Sequence, residues 1–178
     1  MDAATGCISN ARQLLADSLA NCTAFRGWSG PTWSVAEAGA HVYQSALPEE
    51  GDDFLQLADR RPFAVISRPA NANRFVRAAH PGNFAASGTF VVELHWSPPA
   101  LDAQDPGRNV RTFENFLGAL IRTGDQSAPG LLDQAATSGR LNINELTVDG
   151  PYRVPAEDLP IIGDCYLAYL FIEWGVSA

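Results

Sequence analysis

From Cys165 to Trp174 the sequence runs CYLAYLFIEW, with a single charge at Glu173. Its length and its aromatic content predict a strand. A strand with one wet face alternates apolar and polar residues. This one does not. Cys165, Leu167, Tyr169 and Phe171 fall on one face, and Tyr166, Ala168, Leu170, Ile172 and Trp174 on the other. The pattern requires protein against both faces, and it limits the folds open to the chain to those that sandwich this segment.

The rest of the chain supplies the possible cover. "SNARQLLADSLANCTAF" predicts a first helix capped at Ser9 or Asn10, with Leu15, Leu19 and Cys22 on one side. "SVAEAGAHVYQSALP" predicts a second, opened by Ser34 and Glu37 in the S-x-x-E capping arrangement and ended by Pro48. "NVRTFENFLGALIRTG" is the clearest helix. Val110, Phe113, Phe116, Leu117, Leu120 and Ile121 form one stripe, with Asn109 as cap and Gly124 as stop. A short helix at "GLLDQAATSG" follows it.

Three further strands are predicted. "PFAVISR" and "SGTFVVELHW" make an antiparallel pair, the second with Phe90, Val92, Leu94 and Trp96 on one face and Val91, Glu93 and His95 on the other. The third runs from Leu141 to about Val148, where "DGPYR" opens a loop. The segment 69–86 lacks alternation and reads as a long excursion with one helical turn at "NRFVRAA". The expected fold is a single α+β domain spanning 1–178, in the order ααββα(α)ββ. It has a four-stranded, mainly antiparallel sheet. One face of the closing strand packs on the Val110–Ile121 helix, and the other packs on the first helices or on an adjacent subunit.

Composition narrows function. Net charge is −8, and all twelve basic residues are dispersed arginines. Sequence-specific nucleic-acid binding normally needs a basic patch, so it is not expected. Cys7, Cys22 and Cys165 form no C-x-x-C pair and read as reduced thiols, Cys165 as a core residue. The N-terminus lacks a basic segment followed by an apolar one, and no apolar run reaches the roughly 20 residues of a membrane helix. A chain made in the cytoplasm, without a membrane span, is expected.

Chemistry-bearing motifs are absent. The three histidines, His41, His80 and His95, form no zinc-hydrolase pattern, and there is no nucleophile elbow, Walker loop or dinucleotide fingerprint. "EEGDD" and "DAQDPG" do not match a calcium loop and read as solvated turns. No catalytic residue, cofactor or metal is expected. Of the four tryptophans, Trp96 and Trp174 stand at strand ends, where a sheet rim can meet a partner.

"TVDGPYRV", a spacer and "GDCYLAYLFIEWG", together with the aromatic helix "RTFENFLGAL", resemble the corresponding parts of phage tail terminator (tail completion) proteins. The resemblance is one of layout and covers about Arg12 to Gly175; related head–tail neck proteins share it. It implies a non-enzymatic virion protein, assembled in the host cytoplasm, whose subunits close a hexameric ring. That ring caps the tail tube, stops its growth and meets a head-side connector or closure protein. Interface residues on this reading are Arg74, Arg77, Trp96, Tyr152, Arg153 and Trp174. DNA would pass through the lumen without specific binding, past a wall made negative by Glu49, Glu50, Asp52, Asp53, Asp102 and Asp105. The alternatives are a head-closure or connector-adaptor protein, and a small α+β enzyme with a cleft near Glu93, His95 and Asp149.

Overall fold

The computed structural model describes residues 3–28, 30–44, 61–67, 73–77, 84–98, 105–137, 139, 141–154 and 165–176. In chain order these form helices α1 (Ala3–Asn21), α2 (Thr23–Arg26) and α3 (Val35–Ala40), and strands β1 (Val42–Tyr43), β2 (Phe63–Ser67), β3 (Asn73–Arg77) and β4 (Phe84–Trp96). Helices α4 (Pro106–Ile121) and α5 (Leu131–Thr137) and strands β5 (Asn142–Val154) and β6 (Cys165–Val176) complete them. The fold is α+β with a mixed sheet. Among the described residues the sheet has six strands, ordered β1-β2-β4-β6-β5, with β3 paired on β4. Only the β1–β2 pairing is parallel; the others are antiparallel.

The helices follow local sequence chemistry. In α3, Ser34 accepts a hydrogen bond from the Glu37 amide while the Glu37 carboxylate accepts from the Ser34 amide, the reciprocal capping that the sequence predicts. Helix α4 starts earlier than expected. Its cap is Asp105, whose carboxylate accepts from the Arg108 amide at 2.9 Å, with Pro106 in the first turn, where a missing N–H does no harm. Asn109 is instead a buried residue of that turn. The stripe expected on α4 holds: Phe113, Leu117 and Leu120 are buried, and Val110 and Phe116 pack against the core. Trp28 lies flat on Phe116, ring centroids 4.1 Å apart, and extends the stack toward Phe113.

All five described helices feed one core on one face of the sheet. Leu15 and Leu19 of α1, Phe25 of α2, Ala38 of α3, Phe113 and Leu117 of α4, and Leu131 of α5 join Phe90, Val92 and Leu94 of β4 and Tyr166, Leu170 and Ile172 of β6. Each large apolar side chain buried there contributes about 1.5–3 kcal/mol.

Several expectations need correction. The sheet has six strands among the described residues rather than four. The second helix ends at Ala40 instead of Pro48, because Val42 and Tyr43 pair beside Ala64 and Val65, a setting that suits β-branched and aromatic side chains. The excursion at 69–86 contains no helical turn at Asn73–Arg77; those residues form β3 against the first residues of β4. That strand is made by backbone pairing with a neighbour, so apolar alternation did not signal it. Strand β5 runs on to Val154 instead of breaking at Val148, and two one-residue register shifts accommodate the irregular sequence. The second lies between Asp149 and Tyr152, where Gly150 adopts φ +108 and a Cβ would stand 3.0 Å from the Leu167 carbonyl oxygen. Only glycine fits there. Finally, the first helices lie on the same face of the closing strand as α4, not opposite it.

Candidate functional site

The face of the sheet turned away from the helices is the most informative surface. Pairing registers set its residues in rows across β2, β4, β6 and β5. The first row is Phe63, His95, Leu167 and Tyr152; the second Val65, Glu93, Tyr169 and Asp149; the third Ser67, Val91, Phe171 and Thr147. A fourth holds Thr89, Glu173 and Glu145. Burial falls across these rows. Phe63, Val65, His95 and Cys165 are buried, whereas Phe171 is 40% and Tyr152 47% exposed. Leu167 and Tyr169 are half-buried, and Asp149, Thr147, Glu145 and Glu173 are exposed.

The two sides of β6 therefore differ. Tyr166, Ala168, Leu170, Ile172 and Trp174 are fully buried under the helices. The opposite side is covered at Cys165 and bare at Phe171. Glu173 shares parity with Tyr169 and Phe171, and this lone charge was the signal in the sequence for the wetter side.

Carboxylates surround the aromatic residues. Tyr169 stands opposite Glu93 on β4 and Asp149 on β5. Burial, and then the negative charges of Glu93 and Asp149, push its phenol above the ordinary value. The Tyr152 hydroxyl donates to Asp149, and that hydrogen bond pushes the Tyr152 phenol up. The Tyr152 and Tyr169 rings lie 6.3 Å apart, tilted at 55°.

Glu93, His95 and Asp149 do share this face. His95 Nε2 stands 3.4 Å from a Glu93 carboxylate oxygen, yet neither ring nitrogen makes a hydrogen bond. The imidazole is 2% exposed and stacks on Phe63 at 4.4 Å. Tyr169 separates Asp149 from Glu93. This is the setting of a packed ring beside a carboxylate. His41 is also engaged structurally, donating from Nδ1 to the Pro62 carbonyl at 2.9 Å and stacking on Trp33.

The residues expected at an interface are dispersed. Trp96 and Trp174 are core residues rather than rim residues: Trp174 stacks on Phe90 at 5.1 Å, and Trp96 packs against Phe113 and Tyr166. A strand end is a rim only where the sheet is uncovered, and here both tryptophans are buried in the core. Tyr152 and Arg153 are exposed on β5 but belong to opposite faces, since they pair with Leu167 and Tyr166. Arg74 and Arg77 pair opposite Ser87 and Phe84. Of the acidic residues expected along a channel, Asp105 caps α4; Glu49, Glu50, Asp52, Asp53 and Asp102 lie outside the described residues, as does His80.

Other surfaces offer less. A hollow of about 570 Å³ opens beside Gly124, Asp125, Pro129 and Asp133. Its carboxylates already accept from the chain: Asp133 from the Gly124 amide, and Asp125 from Ser127, Ala128 and Arg122. Among the described residues no three His, Cys, Asp or Glu side chains gather as a metal set, and no helix is long and apolar enough to cross a membrane. Cys22 and Cys165 are free and buried, and burial pushes both thiols up. No family model matches the chain, and no curated protein matches it.

Proposed function

We propose that this chain is a structural protein of a phage-like particle, a tail-terminator subunit. Copies close into a hexameric ring at the head-proximal end of the tail tube, end its polymerisation and join tail to head. The observation that supports the reading is the half-bare sheet face. The described helices all lie on one side of the sheet, while on the other Phe171 is 40% and Tyr152 47% exposed, near β5, the edge strand among the described residues. The long edge strand is what neighbouring copies cover when a ring closes, leaving no free end, and the exposed apolar residues near it are left for a partner of the ring to cover. The acidic balance of the chain suits a passage through which DNA slides without sticking.

The deciding experiment is electron microscopy of particles assembled without this protein. Overlong tails on intact heads are the expected result. Tails of normal length with leaking heads would overturn the terminator reading in favour of a closure protein. Light scattering of the purified chain with and without tail tubes should show a ring in at least the second case; a strict monomer in both would remove the ring.

A further inference from the structure

We infer that the open part of this sheet face docks a basic segment of another protein, one that lays arginine or lysine side chains with apolar neighbours over Tyr152, Tyr169 and Phe171. The inference deepens the proposed function, on which it rests for the role of this face, by naming the chemistry of the occupant.

Charge is the first argument. Glu93, Asp149, Glu145 and Glu173 all belong to this face, and among the described residues none has an arginine partner. The described positions of β4, β5 and β6 on this side include no arginine, and the chain has no lysine; the described cations of this side stand at its margins, Arg61 near Cys165 and bonded to Ser97, and Arg74 of β3 at the position opposite Ser87. Arg153, the nearest cation along β5, pairs opposite Tyr166 and so belongs to the helix side. Glu145 and Glu173 are direct cross-strand partners, a like-charge placement that destabilises the free sheet. A partner that brings positive charge removes that repulsion on binding.

Shape and stacking are the second. Guanidinium and ammonium groups bind over aromatic faces flanked by carboxylates, and their methylene stems cover apolar surface. Tyr169 offers such a ring between two carboxylates, with Tyr152 and Phe171 at either side. The third argument is the Glu93–His95 contact. His95 is buried with both nitrogens unbonded, and Nε2 turned toward Glu93 makes no hydrogen bond with it. The Glu93 carboxylate, about one-third exposed, therefore keeps its accepting capacity for an incoming donor.

A second copy docked face to face is a poor occupant. It would set these four carboxylates against another four, on chains that each carry a net charge of −8.

The test uses the intact chain and two synthetic peptides, acetyl-Leu-Arg-Leu-Arg-Leu-Arg-amide and its citrulline counterpart, which keeps shape and removes charge. Backbone amide shifts are followed by NMR up to about 1 mM peptide. The expected result is a set of shifts confined to 89–93, 147–152 and 167–173, with the citrulline peptide weaker by about tenfold or more. The double variant Glu93→Gln, Asp149→Asn should retain its spectrum and lose about tenfold in arginine-peptide affinity. Equal binding of the two peptides, shifts elsewhere on the molecule, or no shifts at the highest concentration would overturn the inference. So would self-association through this face, seen by sedimentation and abolished by Phe171→Ser. Ring formation is read separately by oligomeric state on tail tubes, so ring and cation docking can fail independently.

Discussion

Glu145 on β5 stands directly opposite Glu173 on β6, both exposed on the side of the sheet away from the described helices. Like charges at cross-strand positions repel by about 0.2–1 kcal/mol. Glu173→Gln should therefore stabilise the free chain by about that amount in urea unfolding, and the gain should shrink as salt rises. An unchanged or lower midpoint at low salt would show that the two carboxylates do not oppose each other.

The two sides of β6 predict opposite responses. Trp174→Ala should cost about 3–5 kcal/mol, because it empties a fully buried site stacked on Phe90. Phe171→Asp, at a position 40% exposed, should cost much less, about 1–2 kcal/mol. Trp174 Nε1 is buried without an acceptor, so Trp174→Phe should be much milder than Trp174→Ala. Comparable losses for Phe171→Asp and Trp174→Ala would mean that both sides are core.

Most of the helix side was legible in the sequence, and the open side was not. The stripe on α4 and the parity of β4 are periodic signals, and the Ser34–Glu37 cap is a local one. Trp174 was misplaced because position along a strand does not reveal what lies above it. β3 was missed because its stability comes from pairing with β4, not from its own pattern. Two-sided greasiness in β6 suggested two covers. The structure gives one complete cover and one partial cover, and only the parity of Glu173 marked which side was open.

Tyrosine titration tests the electrostatics of the open face. The Tyr169 phenol is raised by burial and by Glu93 and Asp149, and the Tyr152 phenol by its bond to Asp149. A folded value above the unfolded one means that the folded chain holds the proton where the unfolded chain has released it. This stabilisation is complete below about pH 10 and is lost as pH rises through the folded values. With ¹³C-labelled tyrosine, both rings should titrate above the free residue, and Asp149→Asn should bring Tyr152 down further than Tyr169. Ordinary titration of both in the native chain would contradict the geometry.

Gly150→Ala should destabilise by about 1–3 kcal/mol, since the added Cβ must meet a carbonyl oxygen in a backbone conformation that suits glycine. Thermal unfolding measures it. Gly118→Ala, in α4 with open space around it, is the control and should stabilise slightly.

The two register shifts in β5 also govern how copies of this chain can add to one another. Any strand laid along the outer margin of β5 meets a template that changes phase twice, after Ile143 and again after Asp149. A regular ribbon follows such a template for only a few residues before its amide groups fall out of step. Endless side-by-side growth is thereby discouraged, and a neighbour with complementary irregularities gains a unique seat.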